Sequence, residues 1–223
     1  GYAATLVSLA DALATAHLLG QMGACCTGAM LHASMTPAEL GSELTGDGLR
    51  LAAINGVSPS DTVSSGRLSV TLCGSTPQVE AWVAAHPNSK QLMPTHPWHH
   101  PMYLDIPGVR DGSAFAGLPT SRTPQPGAPI FVSGTGRVHE VVSLQSTHWR
   151  AWLVTPGDPK SALEYIAAKL ASKSCYTIET GAHPVLTTVV HATLTACGVN
   201  VIASAASMRR GGGRGFFDEQ RSR

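Results

Sequence analysis

The alternation of strand-like and helix-start segments in residues 28–96 constrains the fold more than any other feature. Thr36 is predicted to cap a helix that begins at Pro37, and Glu39 stands at the capping-box position three residues after the cap. The segment STPQVEAWVAAHP repeats this pattern. The segments with strand composition are GAMLHASM, LRLAAING, VTLCG and KQLMPTH. The resulting order, β-α-β-β-α-β, predicts a ferredoxin-like α+β subdomain.

The flanking sequence predicts a second part of the fold. Residues 3–22 place apolar side chains at helical spacing without a capping residue before them, and Gly20 and Gly23 are predicted to end this helical segment. From residue 128 onward, strand-like segments alternate with helices, which is typical of a parallel α/β sheet; the strands are APIFVSG, CYTIETG and VNVIASA.

Two low-complexity stretches interrupt this pattern. Residues 101–129 are rich in Pro, Gly, Ser and Thr, which predicts a helix interrupted by a long surface loop and no further core. Residues 208–223 predict a linker or tail. With the helical start, the chain divides into residues 1–27, the subdomain of residues 28–96, a second part of residues 97–207, and the tail.

Composition narrows the classes of partner. The 223 residues carry 15 basic and 14 acidic side chains, and only 13% of the residues are charged. We therefore expect no nucleic-acid or membrane partner. The five cysteines are an odd number without CxxC spacing, which favours reduced thiols in a cytoplasmic protein. The sequence has no apolar run long enough to span a membrane.

The segment HPWHHPM, residues 96–102, groups three histidines around one tryptophan. The residues alone permit a metal site, a catalytic base beside a pocket wall, or a histidine-rich loop. Zinc would require His96, His99 and His100 to face one point, which adjacent residues in an irregular segment rarely do, so we predict no metal.

A second candidate nucleophile lies in GACCTG, residues 23–28. A nucleophile elbow needs a buried strand before it and a helix after it, whereas here a helix precedes and a strand follows. Cys26 is therefore predicted to be a buried, small apolar residue.

Six blocks of the sequence, in order, resemble the acyltransferase domain of polyketide and fatty acid synthases. They are LAAING, VTLCG, HPWHHP, PIFVSGTG, HWRAWLVTP and IETGAHPVL. The resemblance extends from about residue 1 to residue 205. It implies an α/β-hydrolase-like parallel sheet, incomplete at its N-terminal side, with the ferredoxin-like subdomain inserted, and an active site in the cleft between them.

The resemblance also implies a function and a set of site residues. The function is transfer of an acyl group from coenzyme A to the phosphopantetheine thiol of an acyl carrier protein, beside a neighbouring ketosynthase, with no bound cofactor. His99 aligns with the family's catalytic base and Trp98 with a wall of the acyl pocket. His96 and His183 are predicted to line the substrate site, although a turn histidine is an equal alternative for His183.

Two departures from the family leave alternatives open. The family's serine lies in GHSxGE just before yAA, and this chain begins GYAA, so the nucleophile is expected upstream of Gly1. Leu19 aligns with the arginine that binds the malonyl carboxylate, which favours uncharged acyl groups or a domain that transfers none, whereas the bulk of Trp98 disfavours branched groups and favours malonyl. The alternatives are a catalytically inactive remnant that acts as a structural or docking module, and a stand-alone hydrolase.

Overall fold

The structure is a computed structural model, which describes residues 8–44, 48–59, 66–118, 132–134, 144–170, 173–180, 184–207 and 211–212. The helices are α1 (Leu9–Ala24), α2 (Pro37–Glu43), α3 (Thr76–Ala85), α4 (Ser146–Val154), α5 (Pro159–Leu170) and α6 (Thr187–Ala196). The strands are β1 (Ala29–Met35), β2 (Arg50–Val57), β3 (Leu68–Gly74), β4 (Lys90–Gln91), β5 (Ser174–Glu179) and β6 (Asn200–Ala206). Two short 3-10 helices cover Pro101–Asp105 and Ser113–Phe115.

Four strands form an antiparallel sheet in the order β2-β3-β1-β4. Along the chain its elements follow as β1-α2-β2-β3-α3-β4, which is the order predicted from the sequence. One face of the sheet packs against α2 and α3 around fully buried side chains, namely Leu31, Val70, Leu72 and Val79. These side chains form the core of this part of the molecule.

Helix α2 begins where the sequence predicts it. The Thr36 hydroxyl accepts a hydrogen bond from the Glu39 backbone N–H at 3.2 Å, and the Glu39 carboxylate accepts one from the Thr36 N–H at 2.7 Å. The two residues thus satisfy two backbone donors that the helix end leaves without partners. The predicted capping box is confirmed.

The opposite face of the sheet carries paired polar side chains beside a small apolar cluster. Asn55 donates to Thr71 at 3.0 Å, and His32 is hydrogen-bonded to Ser69, which is fully buried. Helices α5 and α6 cover the β2 side of the sheet. The approach of α6 requires Gly56, because a Cβ there would lie 2.2 Å from the Thr193 hydroxyl oxygen.

The second sheet pairs β5 and β6 in parallel, as the strand–helix alternation predicts. Its inner face packs on α5 and α6 around Leu163, Ala167, Leu194 and Val199. Its outer face exposes Tyr176, Ile178 and Ile202. Most of the predicted strand APIFVSG lies outside the described residues, and only its last three residues are within them. None of the described helices combines the length and apolarity needed to cross a membrane.

The start of α1 differs from the prediction. Ser8 caps the helix: its hydroxyl accepts a hydrogen bond from the Asp11 backbone N–H, and the Asp11 carboxylate accepts one from the Ser8 N–H. The expectation of an uncapped start was therefore wrong. Gly20 and Gly23 lie inside this single helix and do not end it, since the helix continues to Ala24.

Residues 101–118 also differ from the prediction of a surface loop. Tyr103, Val109 and Phe115 are fully buried and pack against Leu19 and Leu153. The two 3-10 helices fold this segment so that these side chains point into the interior. A segment whose composition predicts a surface loop therefore forms part of the hydrophobic core. Residues 119–129 lie outside the described residues.

Candidate active site

The imidazole of His99 is held by the backbone of α4. Its Nδ1 lies 2.6 Å from the carbonyl oxygen of Trp152. A carbonyl can only accept a hydrogen bond, so Nδ1 carries the proton, and Nε2 of the neutral ring keeps its lone pair. This is the tautomer that a general base acting through Nε2 requires.

The position of Trp152 explains why its carbonyl is available. Trp152 lies in the last turn of α4, where backbone carbonyl groups have no partner within the helix. The two rings also meet edge to face, with centroids 5.1 Å apart. The end of one helix thus fixes both the tautomer and the orientation of His99.

The surroundings of His99 lower the pKa of its ring. Burial is the largest cause, because it disfavours the charged imidazolium. The carbonyl groups of Trp152 and Thr155 act in the opposite direction, but they do not overcome burial. The ring is consequently neutral at pH 7 and can accept a proton.

His99 also has unusual backbone geometry. Its φ angle is +64°, and it is the one non-glycine residue with positive φ in the part of the chain that the structure describes. Such a conformation is uncommon for a residue with a Cβ and is often found at functional sites. This backbone conformation, together with the hydrogen bond to Trp152, sets the direction of the His99 ring.

Trp98 forms the centre of an aromatic group beside His99. Its indole stacks on Tyr103, with centroids 5.9 Å apart and planes 14° apart, and lies tilted against Trp152 at 5.6 Å. It is half-buried and packs on both the Tyr103 cluster and the cluster of Met30, Ala52 and Cys73. Trp98 thus lies between α1, the antiparallel sheet and α4.

The three histidines of this segment have three different backbone partners. His96 Nδ1 lies 3.2 Å from the Cys26 carbonyl oxygen, whereas His100 Nδ1 accepts a hydrogen bond from the Met102 N–H at 3.0 Å. Burial, and secondarily the charge of Arg50, lower the pKa of His100. Among the described residues, no cluster of three or more potential ligands could hold a metal ion.

The predicted substrate-site residues are not all at one place. His96 contacts the edge of Trp98 and lines a cavity of about 230 Å³ with Thr27, Gly28 and Thr95. His183 lies outside the described residues.

Leu19 and Cys26 both belong to the apolar cluster around Tyr103. Leu19 is 9% exposed, so the position aligned with the family's arginine is occupied by a buried aliphatic side chain. Burial, followed by the nearby Cys25 and Asp105, raises the pKa of the Cys26 thiol, which keeps it protonated and poorly nucleophilic. A helix precedes Cys26 and a strand follows it, as the sequence predicts.

Two features of the site were missed by sequence reasoning. The first is the Trp152 carbonyl, which has no sequence signature because every residue carries the same group. The second is the Tyr103 hydroxyl, which is fully buried and has no hydrogen-bond partner among the described residues. Serine–histidine contacts occur at Ser69–His32 and Ser204–His191, and neither involves His99.

Comparison with solved structures shows the class of fold. The chain is similar to a loading acyltransferase from the avermectin modular polyketide synthase (TM-score 0.77, 22% identity, 98% of this chain and 66% of that chain). It is also similar to the acyltransferase domain from module 8 of the salinomycin polyketide synthase (TM-score 0.77, 22% identity, 97% and 49%). A third similar structure is a malonyl-transacylase in complex with a type II polyketide synthase acyl-carrier protein (TM-score 0.65, 16% identity, 97% and 67%).

These matches show that the chain has the fold of polyketide synthase acyltransferase domains, as the sequence resemblance implies. The chain spans 66% and 49% of the lengths of the first two chains. No protein-family model and no curated protein matches the sequence.

Proposed function

We propose that the chain is part of an acyltransferase of a polyketide synthase, which moves an acyl group from coenzyme A to an acyl carrier protein. The observation that carries the proposal is the hydrogen bond from His99 Nδ1 to the Trp152 carbonyl, because it leaves a neutral imidazole with a basic Nε2. The likeness in fold to acyltransferase domains supports the same reaction class.

We also propose that the fold consists of a ferredoxin-like subdomain and a hydrolase-like part. The sheet order β2-β3-β1-β4 and its two helices support a ferredoxin-like subdomain, and the parallel β5–β6 pair supports part of a hydrolase-like sheet. The segment that follows the proposed ferredoxin-like subdomain contacts α4, which belongs to the proposed hydrolase-like part. The residues at this contact are Trp98, His99 and Trp152. A cleft between the two units would therefore present the base to its substrate.

The proposed reaction takes place in two half-reactions. In the first, His99 Nε2 takes the proton of a serine hydroxyl while the oxygen attacks the thioester carbonyl carbon. The C–S bond then breaks, and the imidazolium protonates the coenzyme A thiolate. In the second, Nε2 takes the proton of the carrier's thiol, whose sulfur attacks the acyl ester; the C–O bond breaks and the serine oxygen is reprotonated.

The serine is implied by the sequence resemblance and is not assigned to a residue of this chain. The reaction is therefore best tested in the natural full-length protein. His96 and His183 are proposed to line the substrate site, and His96 borders a cavity that it lines with Thr27, Gly28 and Thr95.

The proposed acyl group is uncharged, short and unbranched. Leu19 offers no charge to a malonyl carboxylate, and its apolar neighbours would disfavour burying one. The indole of Trp98 restricts the space beside the base for a substituent on the α-carbon. The similar avermectin protein is described as a loading acyltransferase, which supports a starter-type substrate.

The proposed partner is an acyl carrier protein, next to a ketosynthase in a cytoplasmic synthase. One similar structure is a malonyl-transacylase bound to such a carrier, which supports this pairing. One alternative is an inactive docking module. The buried Leu19 favours that alternative, because it removes the contact by which extender-specific members bind their substrate.

Intact-mass analysis of the full-length protein after incubation with acetyl- and malonyl-coenzyme A tests the proposal. We expect a stable acetyl adduct that forms much more slowly in His99→Ala and that is lost on addition of a holo carrier protein. A preferred malonyl adduct would overturn the proposed substrate. No adduct on a folded protein would overturn acyl transfer and favour the docking module.

A further inference from the structure

We propose that Gly23 and Trp98 act as a pair that sets the size of the acyl group, with Gly23 determining where the indole lies. This inference rests on the proposed function, because it concerns the substrate of the same site. Gly23 is in the last turns of α1, far from HPWHHP in the sequence. The structure brings the two residues into direct contact.

The contact between the two residues is tight. A Cβ on Gly23 would lie 2.2 Å from Cη2, 2.7 Å from Cζ2 and 3.1 Å from Cζ3 of the Trp98 indole. Real Cβ atoms do not approach other atoms at the first two distances. Any side chain at residue 23 would therefore displace the ring or the helix.

Glycine is otherwise unfavourable at this position. Inside a helix it is a poor helix former, and α1 continues through Gly23 to Ala24. Gly20, one turn earlier, is the natural comparison, because a Cβ there would meet nothing within 4 Å. The contact with the indole is the packing reason for glycine at residue 23.

The rest of the indole is enclosed by aromatic rings. Tyr103 stacks on it and Trp152 lies tilted against it, so the ring fills the space between α1 and the first 3-10 helix. Trp152 is also the residue whose carbonyl holds His99. Because Trp98 and His99 both contact the ring of Trp152, a shift of the indole would change the space beside His99 that an acyl group could occupy.

The experiment is a double-mutant cycle with Gly23→Ala and Trp98→Ala in the full-length protein, with Gly20→Ala as the matched control. The probes are S-ethyl- and S-hexyl-coenzyme A, thioethers that bind but cannot be transferred, measured by calorimetry. We expect Trp98→Ala to shift the preference toward the hexyl thioether by about tenfold or more, since each methylene in an apolar pocket is worth at least that order. Gly23→Ala is expected to change the preference only when Trp98 is present, and Gly20→Ala to leave it unchanged.

Independent, additive effects of the two substitutions, or an unchanged size preference in Trp98→Ala, would overturn the inference. If Gly23→Ala does not fold, the double variant Gly23→Ala with Trp98→Phe takes its place in the experiment. The smaller phenylalanine ring leaves room for the added methyl group. The preference of the double variant should then equal that of Trp98→Phe alone, and a difference overturns the pairing.

The test separates this inference from the proposed function. The thioethers report binding without any transfer, so a shift in size preference supports the pair even if no acyl-enzyme forms. Conversely, acyl transfer with an unchanged size preference would support the function and overturn the pair.

Discussion

The hydroxyl oxygen of Thr193 on α6 accepts a hydrogen bond from the backbone N–H of Val57 on β2 at 2.9 Å. The same hydroxyl donates to the Val189 carbonyl at 2.7 Å, and Thr193 is 1% exposed. The N–H at the end of β2 thus has a buried partner from a helix that is 136 residues away in the sequence. This one hydroxyl joins the antiparallel sheet to the part of the fold that contains the parallel sheet.

Replacing Thr193 by valine should destabilise the protein by about 1–3 kcal/mol, because the change keeps the shape but leaves the Val57 N–H buried without a partner. Denaturant unfolding measures this loss. Thr195→Val is the matched control on the exposed side of α6, and its effect should stay within about 0.5 kcal/mol. Equal stabilities of the two variants would contradict the prediction.

Glu179→Gln should destabilise the start of α6. The Glu179 carboxylate accepts hydrogen bonds from the backbone N–H groups of Val185, Leu186 and Thr187 and from the Thr187 hydroxyl. We expect a loss of about 1 kcal/mol, the lower part of the range for a helix cap, since the side chain is partly exposed. Glu164→Gln, which affects only a surface pair with Lys160, should have a smaller effect.

The effect of Glu179→Gln should also depend on pH. Burial works to raise the pKa of Glu179, but the hydrogen bonds from Thr187, Val185 and Leu186 outweigh it and lower the pKa. The stabilisation is therefore complete above the unfolded pKa of about 4.3 and is lost as pH falls further. Unfolding measured at pH 7 and pH 3 should show the difference between the variants shrinking, and a constant difference would argue against this origin.

The His99 ring should titrate below the usual histidine pKa of about 6.5. Burial disfavours its protonated form, so the folded state binds this proton less readily than the unfolded chain does. Its contribution to stability is present above about pH 6.5 and is lost as pH falls through the folded pKa. An NMR titration, with the resonance assigned by its absence in His99→Gln, measures the midpoint, and a midpoint above 6.5 would contradict the prediction.

His99→Gln should lower the rate of acyl transfer by about 10²- to 10⁴-fold in the full-length protein, the range for loss of a general base. The fold should persist, because the side chain lies in an irregular segment and glutamine can still donate to the Trp152 carbonyl. His17→Gln on the exposed face of α1 is the control and should transfer at the unaltered rate. Equal rates in the two variants would remove His99 from the chemistry.

Local sequence patterns predicted the elements whose determinants are also local. The capping box of Thr36 and Glu39 and the strand β1 both follow from residues within a few positions of one another. Ser8 and Asp11 form the same kind of local pattern, with aspartate in the place that glutamate or glutamine usually takes in a capping box.

Long-range contacts decided the elements that the sequence did not predict. Gly23 packs closely against the indole of Trp98, and no local pattern could indicate that partner. Tyr103 and Phe115 are buried by α1 and α4, which overrides the loop-like composition around them. For the site, the family resemblance predicted His99 as a base but not Trp152, whose contribution is a backbone carbonyl 53 residues away.

The left-handed backbone at His99 sets two selection pressures against each other. Glycine is the residue that adopts such a conformation without strain, so a side chain is kept at this position at a backbone cost of about 1 kcal/mol, the lower end of the usual range. The hydrogen bond to the Trp152 carbonyl and the contact with its ring work in the opposite direction and favour histidine. A selection for acyl transfer should therefore retain histidine here, although glycine would relax the backbone.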